Sequence, residues 1–114
     1  MKPSKSKILI IYTGGTIGMV EDHVSKTLKP FDFNQINKEL PELKKIKCKI
    51  DSVSFKNPID SSNVSPVMWE KIGDYINSKY NDYDGFVVLH GTDTMSYTAS
   101  ALSFMFQHLS KPII

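Results

Sequence analysis

Two short runs of this chain are apolar at every position. Ile8-Leu-Ile-Ile-Tyr12 ends at Thr13-Gly14-Gly15-Thr16, and Phe86-Val-Val-Leu89 ends at His90-Gly91-Thr92. An apolar run stopped by glycines predicts a strand buried on both faces, as in a parallel sheet. Ile46, Cys48 and Ile50 alternate with Lys47 and Lys49. That period of two predicts another strand, continuing irregularly through Val53 and Phe55. Three helices are predicted. Asp32-Phe-Asn-Gln35 reads as a capping box, with a short helix from Phe33 until Pro41 stops it. Ser65-Pro66 offers a cap followed by proline at the first helical position, and a helix to about Lys79. Its predicted inner face is Val67, Ile72, Tyr75 and Ile76, with Trp69 near the edge. Ser96 to Leu109 predicts a well-buried helix carrying Ala99, Leu102, Phe104, Met105, Phe106 and Leu109. The mixed stretch Met19 to Leu28 reads as a loop, as does Asn57 to Asn63, and Asn81 to Gly85 as a turn.

Strands alternating with helices predict an α/β fold: an open, mainly parallel sheet with helices on both faces. The chain of 114 residues carries no repeat and no linker, which suits a single domain. Pro112-Ile113-Ile114 begins another apolar run where the chain stops. This predicts a single incomplete domain over residues 1–114, the front part of a longer protein.

Composition narrows the classes. With 40% hydrophobic and 23% charged residues the chain is neither disordered nor fibrous. Its apolar runs fall far short of the roughly 18 residues of a membrane span. The run after the basic start is too brief for a signal peptide. One cysteine, Cys48, excludes an internal disulfide and suits a reducing compartment. Residues 1–50 carry ten Lys against five acidic residues, and residues 51–114 carry four against seven. No Arg is present. Arginine is the usual bidentate reader of phosphate and guanine, so nucleic-acid binding is disfavoured. Lys44, Lys45, Lys47 and Lys49 read as a solvated face.

Parallel sheets bind ligands outside the carboxyl ends of their strands. The two glycine-threonine loops there are the natural candidates. Gly14-Gly15-Thr16-Ile17-Gly18 has neither the dinucleotide-binding spacing nor the Gly-Lys-Ser/Thr of a P-loop. Each loop supplies a hydroxyl, Thr16 or Thr92, and glycine lets a substrate approach the backbone. Threonine is a weak nucleophile and needs a base or a polarising contact. Asp93 stands beside Thr92, whereas Thr16 has no charged residue within four positions. The plain alternative is that both threonines bond their own turns. His90 lacks a nucleophile elbow to serve, and a histidine at a strand end usually bonds backbone. The histidines are scattered, so no metal site is expected. Asp60-Ser61-Ser62 offers groups for an ammonium and a carboxylate, or a turn cluster before the next helix.

These residues carry a resemblance. Ile8-Leu-Ile-Ile-Tyr-Thr-Gly-Gly-Thr-Ile-Gly18 and Gly85-Phe-Val-Val-Leu-His-Gly-Thr-Asp-Thr-Met95 resemble the two signatures of the bacterial-type L-asparaginase family, without mismatch and in order. Asp60-Ser61-Ser62, Asp82-Tyr-Asp-Gly85 and Tyr97-Thr-Ala-Ser-Ala-Leu-Ser-Phe104 are most similar to its cytoplasmic type I branch.

The resemblance implies a Rossmann- or flavodoxin-like N-terminal domain and hydrolysis of L-asparagine to L-aspartate and ammonia without cofactor or metal. It implies Thr16 as the acyl-accepting nucleophile, Thr92 as the second active-site threonine and Asp93 as its acidic neighbour, binding the substrate amine. Asp60, Ser61 and Ser62 would grip the amino-acid head, with Gly15, Gly91 and the Thr92 amide around the reacting amide. It also implies a cytoplasmic homodimer or homotetramer with no nucleic-acid or membrane partner. A downstream lysine and a smaller C-terminal domain lie beyond Ile114 in the family, so residues 1–114 alone are expected to be inactive. The family's tyrosine in the loop after the first motif has no counterpart between Met19 and Pro30, and Leu28 stands near its place. Other readings are a glutaminase-asparaginase, an amidotransferase subunit that feeds ammonia to tRNA-bound substrates, or a non-catalytic amino-acid-binding domain.

Overall fold

A computed structural model describes residues 4–15, 18–30, 32, 40–56 and 61–114. Strand β1, Ser6–Tyr12, is central. It pairs in parallel with β4, Cys48–Ser54, on one side and with β5, Gly85–Leu89, on the other. Ile8 stands opposite Ile50 and Gly85, and Tyr12 opposite Ser54 and Leu89. A strand flanked on both sides and covered on both faces can be apolar throughout, and β1 is so over residues 8–12. Beyond β5 the chain pairs once more. Phe86 N donates to Pro112 O at 2.9 Å, and Ile114 N donates to Phe86 O at 3.0 Å. The predicted apolar run at Pro112–Ile114 thus extends the sheet to a fourth position, parallel at Phe86 and Ile113.

Helix α1, Pro66–Lys79, has the predicted bounds. Ser65 occupies the cap position, but through its carbonyl, which accepts Met68 N at 2.9 Å; its hydroxyl makes no cap bond. Helix α2, Met95–Met105, follows β5. Both helices lie on one face of the sheet. Leu9, Ile11 and Phe86 meet Met68, Ile72 and Ile76 of α1 and Leu102 of α2. Each such fully buried side chain stabilises by about 1.5–3 kcal/mol relative to exposure. Handedness explains the shared face. The crossovers β4 to β5 and β5 to Ile113 move in the same direction across the sheet, so right-handed connections put both helices on one side. The connection from β1 to β4 moves the opposite way and belongs on the other face. There Tyr12, Ile10 and Leu89 pack with Leu43 of a 3-10 turn, Pro41–Lys45.

Several expectations change. Met19 to Leu28 is a hairpin rather than a loop: β2, Met19–Glu21, pairs antiparallel with β3, Leu28–Pro30. Its turn is held by Asp22, whose Oδ1 accepts Val24 N and Ser25 N, and whose Oδ2 meets Lys29 Nζ at 2.7 Å. Those contacts hold the Asp22 carboxyl down to about 2, the Lys29 bond first. Strands of three residues are too short to show a period. The helix expected from Phe33 lies outside the described residues. Pro41, expected to stop it, opens the 3-10 turn, where a missing N–H costs nothing. In α1 the inner position is Met68, not Val67, which is 61% exposed. Met68, Ile72 and Ile76 recur every four residues, and Val67 stands 100° off that stripe.

Helix α2 departs most. It ends at Met105 rather than Leu109, with Phe106 extended and His108 in the left-handed region (φ 54°) as the chain turns back. It is not well buried: Thr98 and Leu102 are its buried residues, and Phe104 is 83% exposed. Only the side facing α1 and β5 is covered among the described residues.

Candidate active site

The chain leaves β1 toward β4 on one side, while β5 lies on the other. The loops after β1 and β5 therefore diverge from a shared switch point, where open parallel sheets form crevices. Both α1 and α2 return antiparallel to the strands, which brings their N-termini to this same edge.

The β1 loop is fixed from below. Thr13, buried, donates both N–H and Oγ1–H to Leu89 O, at 3.1 and 2.9 Å, tying the start of one loop to the end of the other strand. Gly14 (φ 140°) and Gly15 (φ 90°) then take backbone conformations that a side chain strains. The Tyr12 ring lies buried beneath the loop, and its hydroxyl donates to Gly15 O at 2.8 Å. Burial pushes the Tyr12 phenol up, so it stays a neutral donor. Gly18 N closes the loop on the same carbonyl at 3.4 Å.

The β5 loop is fixed from behind. His90 is buried; its Nδ1 lies 2.7 Å from Gly91 O, and its Nε2 lies 2.8 Å from Thr98 Oγ1. Trp69 Nε1 of α1 donates to the same Thr98 Oγ1 at 2.9 Å. Thr94 caps α2 through its carbonyl, which accepts Tyr97 N and Thr98 N. Between these anchors Gly91 is half-buried, and Thr92 and Asp93 are exposed.

The two loops meet at glycines. A Cβ added to Gly15 falls 2.9 Å from Gly91 Cα. Of the residues expected from sequence, Gly15 and Gly91 are therefore brought together, with Thr92 and Asp93 following on the exposed rim. Thr16 and Asp60 lie outside the described residues. Ser61 and Ser62 belong to a 3-10 turn, Ser61–Asn63, between β4 and α1; Ser62 is exposed, and the Ser61 side chain lies outside what is described. His90 bonds backbone, as its place at a strand end suggests. Tyr12, Trp69 and Thr98 were not foreseen. Tyr12 read as the end of an apolar run, and no sequence spacing links Trp69 to Thr98.

Among the described residues no group of three His, Cys, Asp or Glu side chains could hold a metal ion. No helix among them is long and apolar enough to cross a membrane. The lysines flanking and within β4 are exposed, and Cys48 is a half-buried free thiol. Chemically, the crevice offers exposed hydroxyl and carboxylate groups above a rigid backbone floor.

Residues 7–114 match the family described as Asparaginase, N-terminal. L-asparaginase 1 of Escherichia coli K12 is 42% identical over 96% of this chain. A glutamyl-tRNA(Gln) amidotransferase polypeptide of Pyrococcus abyssi is 38% identical over 99% of it. The crystal structure of L-asparaginase I from Vibrio cholerae superposes with a TM-score of 0.83 at 42% identity, covering 96% of this chain. The chain spans about a third of the length of the asparaginases it matches (33% in both) and about a quarter (26%) of the amidotransferase polypeptide.

Proposed function

This chain belongs to the asparaginase family through its N-terminal domain, and on that premise we propose that it supplies one wall of the active site of a cytoplasmic L-asparaginase. The observation that carries the reading is the backbone contact of Gly15 with Gly91. Thr16 and Thr92 follow those two glycines directly in the chain.

The proposed reaction runs in two stages. Thr16 Oγ attacks the side-chain amide carbon of L-asparagine, and the carbonyl oxygen becomes an oxyanion. The C–N bond breaks, the nitrogen takes the proton lost by the hydroxyl, and ammonia leaves. Water then opens the β-aspartyl ester, restoring the Thr16 hydroxyl and releasing L-aspartate. Thr92 serves as the second hydroxyl, and Asp93 binds the substrate ammonium. Asp60, Ser61 and Ser62 grip the head group, which supplies orientation and lowers the entropic part of the barrier. Backbone N–H groups at Gly15 and Thr92 stabilise the oxyanion, and Gly91 allows the close approach. The complete protein would be a homodimer or homotetramer whose C-terminal domain completes the site, with residues 1–114 inactive alone.

The 38% identity to an amidotransferase polypeptide supports a second reading, in which the ammonia is delivered to a tRNA-bound substrate. Ammonia release from free L-asparagine, measured without tRNA on the complete protein that carries this chain, tests the first reading. Release only in the presence of charged tRNA would favour the second. Asparagine binding without release under either condition would make the chain part of a binding domain.

A further inference from the structure

The hydrogen bonds behind the β5 loop form a chain whose direction is set at both ends. Trp69 Nε1–H can only donate, so Thr98 Oγ1 accepts there, and the Thr98 proton is left for His90 Nε2. Gly91 O can only accept, so His90 Nδ1 carries the ring proton. The order is Trp69 to Thr98 to His90 to Gly91, with each of the three protons used once and the imidazole in one tautomer. Thr98 and His90 are both buried, where leaving a polar group unpaired is costly. The arrangement is therefore held firmly.

The chain ends on one half of a peptide group. The Gly91 carbonyl and the Thr92 N–H belong to the same planar trans unit and point in opposite directions. With the carbonyl tied inward to His90, the Thr92 N–H is aimed outward over the crevice. Among the described residues it has no acceptor.

We propose that Thr98 and His90 are positioning residues that aim the Thr92 backbone N–H at the oxyanion. The proposal rests on the asparaginase reading above. Neither side chain touches substrate; both act through the Gly91–Thr92 peptide. An interaction with the oxyanion exists only in the transition state, so its loss lowers kcat and leaves KM alone.

The test uses the complete protein. Thr98→Val keeps the volume and removes both hydrogen bonds. It should lower kcat roughly ten- to a hundredfold, less than the 10²–10³ for outright loss of an oxyanion donor, with KM within about twofold. Thr98→Ser keeps the hydroxyl and should return kcat to within about threefold of wild type. The ring ¹⁵N spectrum of the unmutated protein should show His90 with Nδ1 protonated and Nε2 bare, and that readout needs no variant to fold. An Nε2–H tautomer, a Thr98→Val enzyme with wild-type kcat, or a Thr98→Ser enzyme as slow as Thr98→Val would each overturn the proposal. If the wild type releases no ammonia, the asparaginase reading fails, while the His90 spectrum still decides whether the relay exists.

Discussion

Gly15 and Gly91 are packed backbone to backbone: a Cβ on Gly15 would stand 2.9 Å from Gly91 Cα and 3.0 Å from Gly91 N. Gly15 also has φ of 90°. Two separate requirements, space and backbone conformation, thus exclude a side chain at the same position. In Gly15→Ala the positive φ alone costs about 1–3 kcal/mol, before any overlap. The complete protein carrying this change should lose several degrees of melting temperature and at least about tenfold in ammonia release. Unchanged melting and rate would show that the loops do not meet this way.

A pH-sensitive tie joins the middle of β4 to the turn before β5. Tyr83 Oη donates to Asp51 Oδ2 at 2.9 Å. Burial, then that bond and the Asp51 charge, push the Tyr83 phenol up to about 12 from 10.0. Between these values the folded chain keeps a proton that the unfolded chain loses. The tie therefore stabilises fully below pH 10 and fades as pH rises toward about 12. In Tyr83→Phe the decline of the urea midpoint over that alkaline range should be shallower than in wild type. Identical slopes would mean that Tyr83 ionises as freely folded as unfolded.

Helix α2 and the segment that follows it expose large apolar side chains. Phe104, Met105 and Leu109 stand open among the described residues, and Ile114 is exposed beside the edge strand. Residues 1–114 expressed by themselves should therefore self-associate, as open sheet edges and apolar patches do. Phe104→Lys should lower the apparent mass in light scattering at equal concentration. A monodisperse wild-type monomer would contradict the expectation.

What was legible in the sequence follows from what is local. Residues 8–12 of β1 and 86–89 of β5 are legible because a strand segment covered on both faces is apolar at every position and glycine follows it. The bounds of α1 followed from Ser65-Pro66, although the cap works through the Ser65 carbonyl rather than its hydroxyl. The hairpin is not legible, because Met19–Glu21 and Leu28–Pro30 are too short to display alternation. The sequence stripe of α1 includes Val67, whereas the inner position is Met68, since a broad apolar stripe does not fix its own centre. The site's loops were legible as glycine-threonine segments after strands. Its support was not: Trp69 and Thr98 are 29 residues apart, and only packing of α1 beside α2 unites them. Tyr12 has the same lesson, because its ring is core while its hydroxyl serves the Gly15 carbonyl.

The most direct test is ammonia release from L-asparagine by the complete protein carrying this chain, compared with its Thr92→Val variant. The wild type should release ammonia steadily, and the variant, still folded, should lose roughly a thousandfold or more. A folded wild type that binds L-asparagine and releases no ammonia would contradict it, as would a Thr92→Val enzyme as fast as wild type.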